Sequence, residues 1–252
     1  MLCRRDTLSG VVLEIEQYTI SDNVVNIKKS KPKVHTRTPE EKIIHNDKKS
    51  ERQFIRNVNT NFNSFAYYVT LTYADEYLPD NYNDAQKQLR LYNRRLKYRC
   101  PKAKIIAVTG YGSRSKRLHH HLIILGANED DIKSKWINGK LVRAERLRAH
   151  NYYNGIDQGE DYTGLAIYLH EHTKGTSHVG KRWIQTKNLE QPDEKPAREI
   201  KKPYSEDKPP KAPKGYMLVA ITSYPYFVNS YIKFKYVRIP PKPLDIQFHM
   251  LS

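Results

Sequence analysis

The amino-acid sequence predicts an α+β fold in which an antiparallel central sheet carries helices on one face. Three observations support this class. Segments rich in β-branched and aromatic residues occupy the middle of the chain, helical periodicity appears between them, and a short connection containing Gly and Ser joins two of the strands. Such a connection is typical of a hairpin, so a parallel, doubly wound sheet is disfavoured.

The predicted elements follow the order strand, helix, hairpin, helix and strand. The first clear strand covers residues 65–73, and apolar residues at helical spacing predict a helix after it, capped by Asn83 or Asp84. Residues 104–109 and 118–125 are the two hairpin strands. A second substantial helix begins near residues 157–161 and carries Tyr168, and residues 215–239 return to β-like sequence.

Composition divides the chain into four parts. Residues 1–60 become basic and polar after a short β-like stretch, and they are predicted to form a basic N-terminal arm that includes a helix from Thr38 to Val58. Residues 61–190 form the predicted central domain. Residues 191–214 hold six of the 14 prolines and are predicted to be a linker, and residues 215–252 a C-terminal β extension that packs on the core.

The charge balance narrows the partners. The 252 residues include 44 Lys and Arg against 27 Asp and Glu, a formal net charge of +17. Polyanions are the usual partners of such a surplus, and 19 tyrosines supply faces on which unpaired bases can stack. No long apolar run predicts a membrane-spanning helix or a signal peptide, so we expect a cytoplasmic protein without a membrane partner. Cys3 and Cys100 suggest neither a metal finger nor a disulfide framework.

Two histidines in the second hairpin strand are candidate metal ligands. His119 and His121 are two residues apart, so their side chains project from one face of the strand while His120 projects from the other. Two neutral imidazoles on one rigid strand can share a divalent metal ion. The alternative is that both are surface histidines of a half-exposed strand.

A tyrosine on the second helix is a candidate nucleophile. Tyr168 lies in the segment Leu165-Ala-Ile-Tyr168, with polar residues one turn away. A phenol has a pKa of about 10, so attack at neutral pH needs a metal ion, a base or nearby cations. Lys174 and a metal held by the histidine pair are the candidate sources of that help. The alternative is that Tyr168 is a packed tyrosine.

Three segments in this order resemble the motifs of the HUH endonucleases, the rolling-circle replication initiators. They are the strand Tyr68-Val-Thr-Leu-Thr-Tyr73, the triplet His119-His120-His121, and the helix with Tyr168. Over most of its length the chain also resembles the replication-associated proteins of small phages and plasmids. Relatives often place an acidic third metal ligand on the strand before the histidine pair, where this chain has Thr109, so the third ligand is unassigned.

The resemblance implies an HUH/RRM-like sheet and a nicking domain at residues 61–190. Tyr168 would attack a phosphodiester of single-stranded DNA at a replication origin and form a 5′-phosphotyrosyl link. His119 and His121 would hold Mg²⁺ or Mn²⁺. Relatives tend to have a Lys three residues after the tyrosine, a position that is Glu171 here, so Lys174 would substitute for it. A host helicase and polymerase in a bacterial cell would be the expected partners, because the chain shows no Walker-type phosphate loop.

The loop that joins the hairpin strands is a candidate DNA contact. Arg114, Lys116 and Arg117 lie beside the histidine strand, and we expect them to hold flanking phosphates. The alternative is a solvated hairpin tip. Two other functions stay open for the whole chain: a non-enzymatic basic DNA- or RNA-binding module with a structural histidine pair, and a transposase or relaxase with the same chemistry.

Overall fold

The computed structural model describes residues 1–20, 38–112, 116–139, 142–174, 182–225 and 230–241. Within these ranges the helices are α1 (Pro39–Asn61), α2 (Tyr82–Arg99), α3 (Glu129–Ser134) and α4 (Thr163–Glu171). The strands are β1 (Leu2–Ser9), β2 (Val12–Thr19), β3 (Tyr67–Thr72), β4 (Lys104–Tyr111), β5 (Leu118–Leu125), β6 (Val142–Arg146), β7 (Tyr152–Tyr153), β8 (Ile156–Asp157), β9 (Ile184–Gln185), β10 (Asp193–Glu194), β11 (Arg198–Glu199), β12 (Tyr216–Pro225) and β13 (Ser230–Arg238). None of the helices in the described ranges is long and apolar enough to cross a membrane.

Five strands form the central sheet, in the order β6-β3-β5-β4-β9, and all neighbours are antiparallel. The predicted hairpin is β4 and β5, paired with Ile106 opposite Ile123. β3 alternates buried and half-buried residues, as its β-branched and aromatic composition predicts. The predicted α+β class and antiparallel sheet are therefore confirmed.

Helices cover both faces of the central sheet, so the prediction of helices on one face is wrong. Ile105 and Leu122 pack in the cluster that includes α2, whereas Ile106 and Ile123 pack in the cluster that includes α1 and α4. β4 and β5 are therefore apolar on both sides. Continuous apolar sequence, rather than alternation, is typical of strands buried on both faces.

The second large sheet, which we call the terminal sheet, unites strands from both ends of the chain. Its main path is β10-β1-β2-β13-β12, and β11 also pairs with β1. Residues 2–19 and α1, within the predicted N-terminal arm, thus contribute a hairpin and a helix, and the basic run at 28–33 lies outside the described residues. The division into domains stays a prediction.

A buried cluster of charges joins α1 to the terminal sheet. Arg56 donates through Nε to Glu14 Oε2 at 2.7 Å and through Nη2 to Glu16 Oε2 at 3.1 Å. Lys233 of β13 donates to the other Glu14 oxygen at 3.0 Å. Burial opposes the ionisation of Glu14, but the charges of Lys233 and Arg56 prevail and hold its pKa at about 2. The cluster is therefore charged at neutral pH.

Replacing Arg56 with Ala should destabilise the protein by about 3–5 kcal/mol, because two buried carboxylates would lose their main partner. Urea unfolding measures this change. The matched control is Arg99→Ala, since Arg99 forms a more exposed ion pair with Asp131 and should cost no more than about 1 kcal/mol. Equal losses in the two variants would contradict a stabilising role for the buried cluster.

Candidate active site

The histidine pair lies on the face of the central sheet that α4 covers. His119 is paired with Thr72 of β3 and Gly110 of β4, and His121 is paired with Thr70 and Val108. The two Nε2 atoms are 2.9 Å apart. His120 points to the other face.

The His120 ring is fully buried in the core on the α2 side. Its Nε2 lies 2.6 Å from the Tyr73 hydroxyl and its Nδ1 lies 2.8 Å from Thr109 Oγ1. Both ring nitrogens are thus engaged away from the other two histidines. Thr109, which stands where relatives often place a third ligand, is part of this core contact.

A third histidine completes the cluster. His172 directly follows α4, and its ring centroid lies 4.6 Å from that of His121 and 5.9 Å from that of His119. One nitrogen from each of the three rings falls within 4.8 Å of the others. Sequence reasoning left the third ligand unassigned, although the four-residue spacing between Tyr168 and His172 places both on one side of a helix.

Glycine at position 110 allows α4 to approach β4 at this point. A Cβ on Gly110 would lie 2.8 Å from the carbonyl oxygen of His172 and 3.2 Å from its Cβ. Any larger residue would therefore push the end of α4 away from the sheet. The position of His172 beside the histidine pair depends on this contact.

Hydrogen bonds leave one nitrogen of each ring directed at the cluster. His172 Nδ1 donates to the Tyr168 carbonyl at 2.8 Å, and His119 Nδ1 donates to the Arg117 carbonyl at 3.2 Å. Because a carbonyl only accepts, Nε2 of these two rings keeps its lone pair. His121 Nδ1 lies 2.7 Å from the Tyr68 hydroxyl, which can accept or donate and so suits either tautomer.

Burial keeps the histidine pair neutral. It lowers the pKa of His119 below its ordinary value. Burial, with the neighbouring imidazoles, also lowers the pKa of His121, to about 3. Three neutral imidazoles with free lone pairs are a donor set suited to a divalent transition metal, so this cluster is able to bind a metal ion.

Tyr168 lies against the same cluster. Its ring centroid is 4.4 Å from that of His172 and 5.9 Å from that of His121, and its side chain is 49% exposed. Tyr68 of β3 lies on the same side of the sheet, with its ring stacked on His121 at 5.6 Å. The structure thus brings together the predicted nucleophile and the predicted histidine pair, with an open side for a substrate.

The predicted basic residues have other surroundings. Lys174 forms ion pairs with Glu171 and with Asp47 of α1. Arg117 donates to Asp75 at 2.5 Å and to the Tyr73 carbonyl at 3.2 Å. Lys116 is exposed and has a positive φ of 54°, and Arg114 lies outside the described residues.

Comparison with known proteins gives two matches. No curated protein matches the sequence. The crystal structure of the hypothetical protein ORF119 from Sulfolobus islandicus rod-shaped virus 1 is similar over 52% of this chain and 97% of its own, with 14% identity and a TM-score of 0.31. Residues 66–173 match the model of a family described as replication-associated protein ORF2, a match consistent with a replication initiator. The segment similar to that family contains the histidine cluster and Tyr168, the complete candidate site.

Proposed function

We propose that this protein initiates rolling-circle replication by nicking and rejoining single-stranded DNA through Tyr168. The observation that carries the proposal is the position of the Tyr168 ring beside His121 and His172, inside the segment similar to replication-associated proteins. An HUH endonuclease needs this combination of a tyrosine and an imidazole metal site. The exposed side of Tyr168 leaves room for a DNA backbone.

The metal site would be formed by His119, His121 and His172. Their unprotonated nitrogens and mutual distances fit a divalent ion. We propose Mn²⁺ or Mg²⁺, and we favour Mn²⁺ for experiments because imidazole suits it better than it suits Mg²⁺. When bound, the ion supplies Lewis-acid polarisation of the scissile phosphate.

Tyr168 would supply the nucleophilic oxygen. Its phenol loses a proton, its oxygen bonds to phosphorus, and the bond from phosphorus to the 3′ oxygen breaks, which releases a 3′-hydroxyl and leaves a 5′-phosphotyrosyl link. One phosphodiester replaces another, so the step is nearly isoenergetic and needs no ATP. Its reversal would close a displaced strand.

The basic residues would hold DNA outside the reacting phosphate. We propose that Arg114, Lys116 and Arg117 contact flanking phosphates, as befits a cationic loop next to β5. Lys174 is proposed to assist Tyr168 electrostatically. Its charge is offset by Glu171 and Asp47, so we expect its contribution to be small beside that of the histidine cluster. A host helicase and polymerase in the bacterial cytoplasm would be the partners.

A covalent-adduct assay tests the proposal. Purified protein is incubated with end-labelled single-stranded DNA of random sequence and Mn²⁺, with and without EDTA, and run on a denaturing gel. We expect label to migrate with the protein and to disappear with EDTA. Sequencing the attached DNA would identify the nick site. DNA binding without any adduct, on the random pool and on hairpin substrates, would favour the non-enzymatic module instead.

Tyr68 should position the metal ligand His121. Burial raises the pKa of its phenol to about 12, so the hydroxyl keeps its proton and stays a hydrogen-bonding partner of His121 Nδ1. Tyr68→Phe should weaken Mn²⁺ binding about 10- to 100-fold, as loss of an outer-shell partner does. Calorimetric titration measures this.

The neighbouring Tyr67→Phe provides the matched control, because Tyr67 faces the α2 side of the sheet and its ring lies under Arg146. Its Mn²⁺ affinity should equal that of the unmodified protein. If Tyr68→Phe also binds Mn²⁺ normally, the Tyr68 hydroxyl does not orient His121.

A further inference from the structure

A small two-stranded hairpin between β6 and α4 exposes three apolar side chains. Its strands β7 and β8 pair only with each other among the described residues. The exposed fractions of Tyr152, Tyr153 and Ile156 are 69%, 63% and 43%, and none of these residues belongs to a hydrophobic cluster of the described part of the chain. Exposed apolar groups on an ordered element indicate a binding surface.

The hairpin backbone is held in place although its side chains bury little. Asn154 and Gly155 have φ values of 49° and 76°, as the two-residue turn of a tight hairpin requires. At the base, Gln158 N donates to the Asn151 carbonyl at 2.8 Å, and Asn151 N donates to the Gly159 carbonyl at 3.0 Å. The exposed rings are therefore presented on a preorganised support, which lowers the entropic cost of binding.

Size and charge indicate what the hairpin binds. Two phenol rings and one isoleucine are a much smaller surface than the roughly 800 Å² that each partner contributes to a standard protein interface. They match the size of one or two nucleobases. The net charge of +17 favours a polyanion over a protein. Arg143 of β6 and Arg148, whose carbonyl accepts from the Tyr162 hydroxyl, are exposed near the base of the hairpin.

We propose that Tyr152 and Tyr153 stack on unpaired bases of single-stranded DNA. Neighbouring residues of a strand point to opposite faces, so the two rings offer a stacking surface on each side of the hairpin. Stacking requires a free base face and is therefore selective for unpaired DNA. The inference rests on the proposed function for the identity of the ligand, but it concerns binding and not cleavage.

The experiment measures DNA affinity in EDTA, where the proposed nicking is switched off. Fluorescence anisotropy of a labelled oligo-dT strand is recorded with the full chain and with the double variant Tyr152→Ala/Tyr153→Ala at several salt concentrations. We expect the variant to bind at least about ten-fold more weakly, because each base–aromatic stack contributes about 1–3 kcal/mol. The slope of log Kd against log salt should not change, since no charge is removed.

Three controls isolate stacking. Tyr152→Phe/Tyr153→Phe keeps both rings and should bind normally. Tyr98→Ala removes a tyrosine that is 92% exposed on α2 and should also bind normally. Affinity for a duplex of equal length should be the same for the double alanine variant and the unmodified protein.

Unchanged single-strand affinity in a folded double alanine variant would overturn the proposal, and so would an equal loss for duplex. A variant that keeps its DNA affinity but changes its sedimentation would assign the surface to a second copy of the chain instead. Absence of a covalent adduct with the unmodified protein would overturn the proposed function and leave this binding result intact.

Discussion

Tyr168→Phe should abolish the covalent adduct with DNA, lowering it by several orders of magnitude, as removal of a catalytic nucleophile does. The substitution removes one oxygen from a half-exposed ring that packs against His172 and His121. The packing of the ring is retained, so affinity for single-stranded DNA should stay within about two-fold. A denaturing gel measures the adduct, and anisotropy measures the affinity.

Tyr111→Phe is the matched control for this prediction. Tyr111 is 44% exposed, close to the value for Tyr168, and it ends β4 opposite Leu118 at the start of the histidine strand. Its adduct yield should equal that of the unmodified protein. An adduct that persists in Tyr168→Phe, mapped by mass spectrometry to another residue such as Tyr68, would remove Tyr168 from the role of nucleophile.

His172→Ala should weaken Mn²⁺ binding at least about 100-fold, because even the loss of an outer-shell partner of a metal ligand costs 10- to 100-fold. Adduct formation at limiting Mn²⁺ should fall in parallel. High Mn²⁺ should restore part of the activity, since His119 and His121 keep their nitrogens within the cluster. Titration calorimetry and the adduct assay at several Mn²⁺ concentrations measure both effects.

His150→Ala serves as the control, because His150 is paired with Asp157 at 2.7 Å outside the cluster. Its metal affinity should not change. Normal Mn²⁺ affinity in His172→Ala would contradict a three-histidine site. His120→Ala, which should impair nicking less than loss of His119 or His121, must be compared at equal folded fraction because its ring is a fully buried, hydrogen-bonded part of the core.

The register of β5 was predictable from sequence alone. Side chains alternate along a strand, so His119 and His121 had to share a face once the segment was assigned as a strand. The hairpin between β4 and β5 was predictable for the same local reasons. The cap of α2 was not, because Asn81, Asn83 and Asp84 are all suitable residues, and the structure uses Asn81, whose side chain accepts from Asp84 N.

Contacts between distant segments limited the rest. The role of His172 as a third histidine depends on the approach of α4 to Gly110, which no local pattern reveals. Similarly, the placement of helices on both sheet faces follows from α1, whose Phe54 and Val58 join the cluster of α4. The roles of Tyr168, Lys174 and the basic loop stay predictions, because geometry alone does not measure reactivity.

The pairing of β2 with β13 in the terminal sheet has a consequence for synthesis on the ribosome. Glu14 and Lys233 meet in the buried charge cluster although 219 residues separate them. The segment with the candidate site is therefore translated and able to collapse before β13 emerges, while one edge of β2 is still unpaired. An unpaired edge invites association with other chains, so we expect truncations before residue 230 to produce aggregation-prone nascent protein.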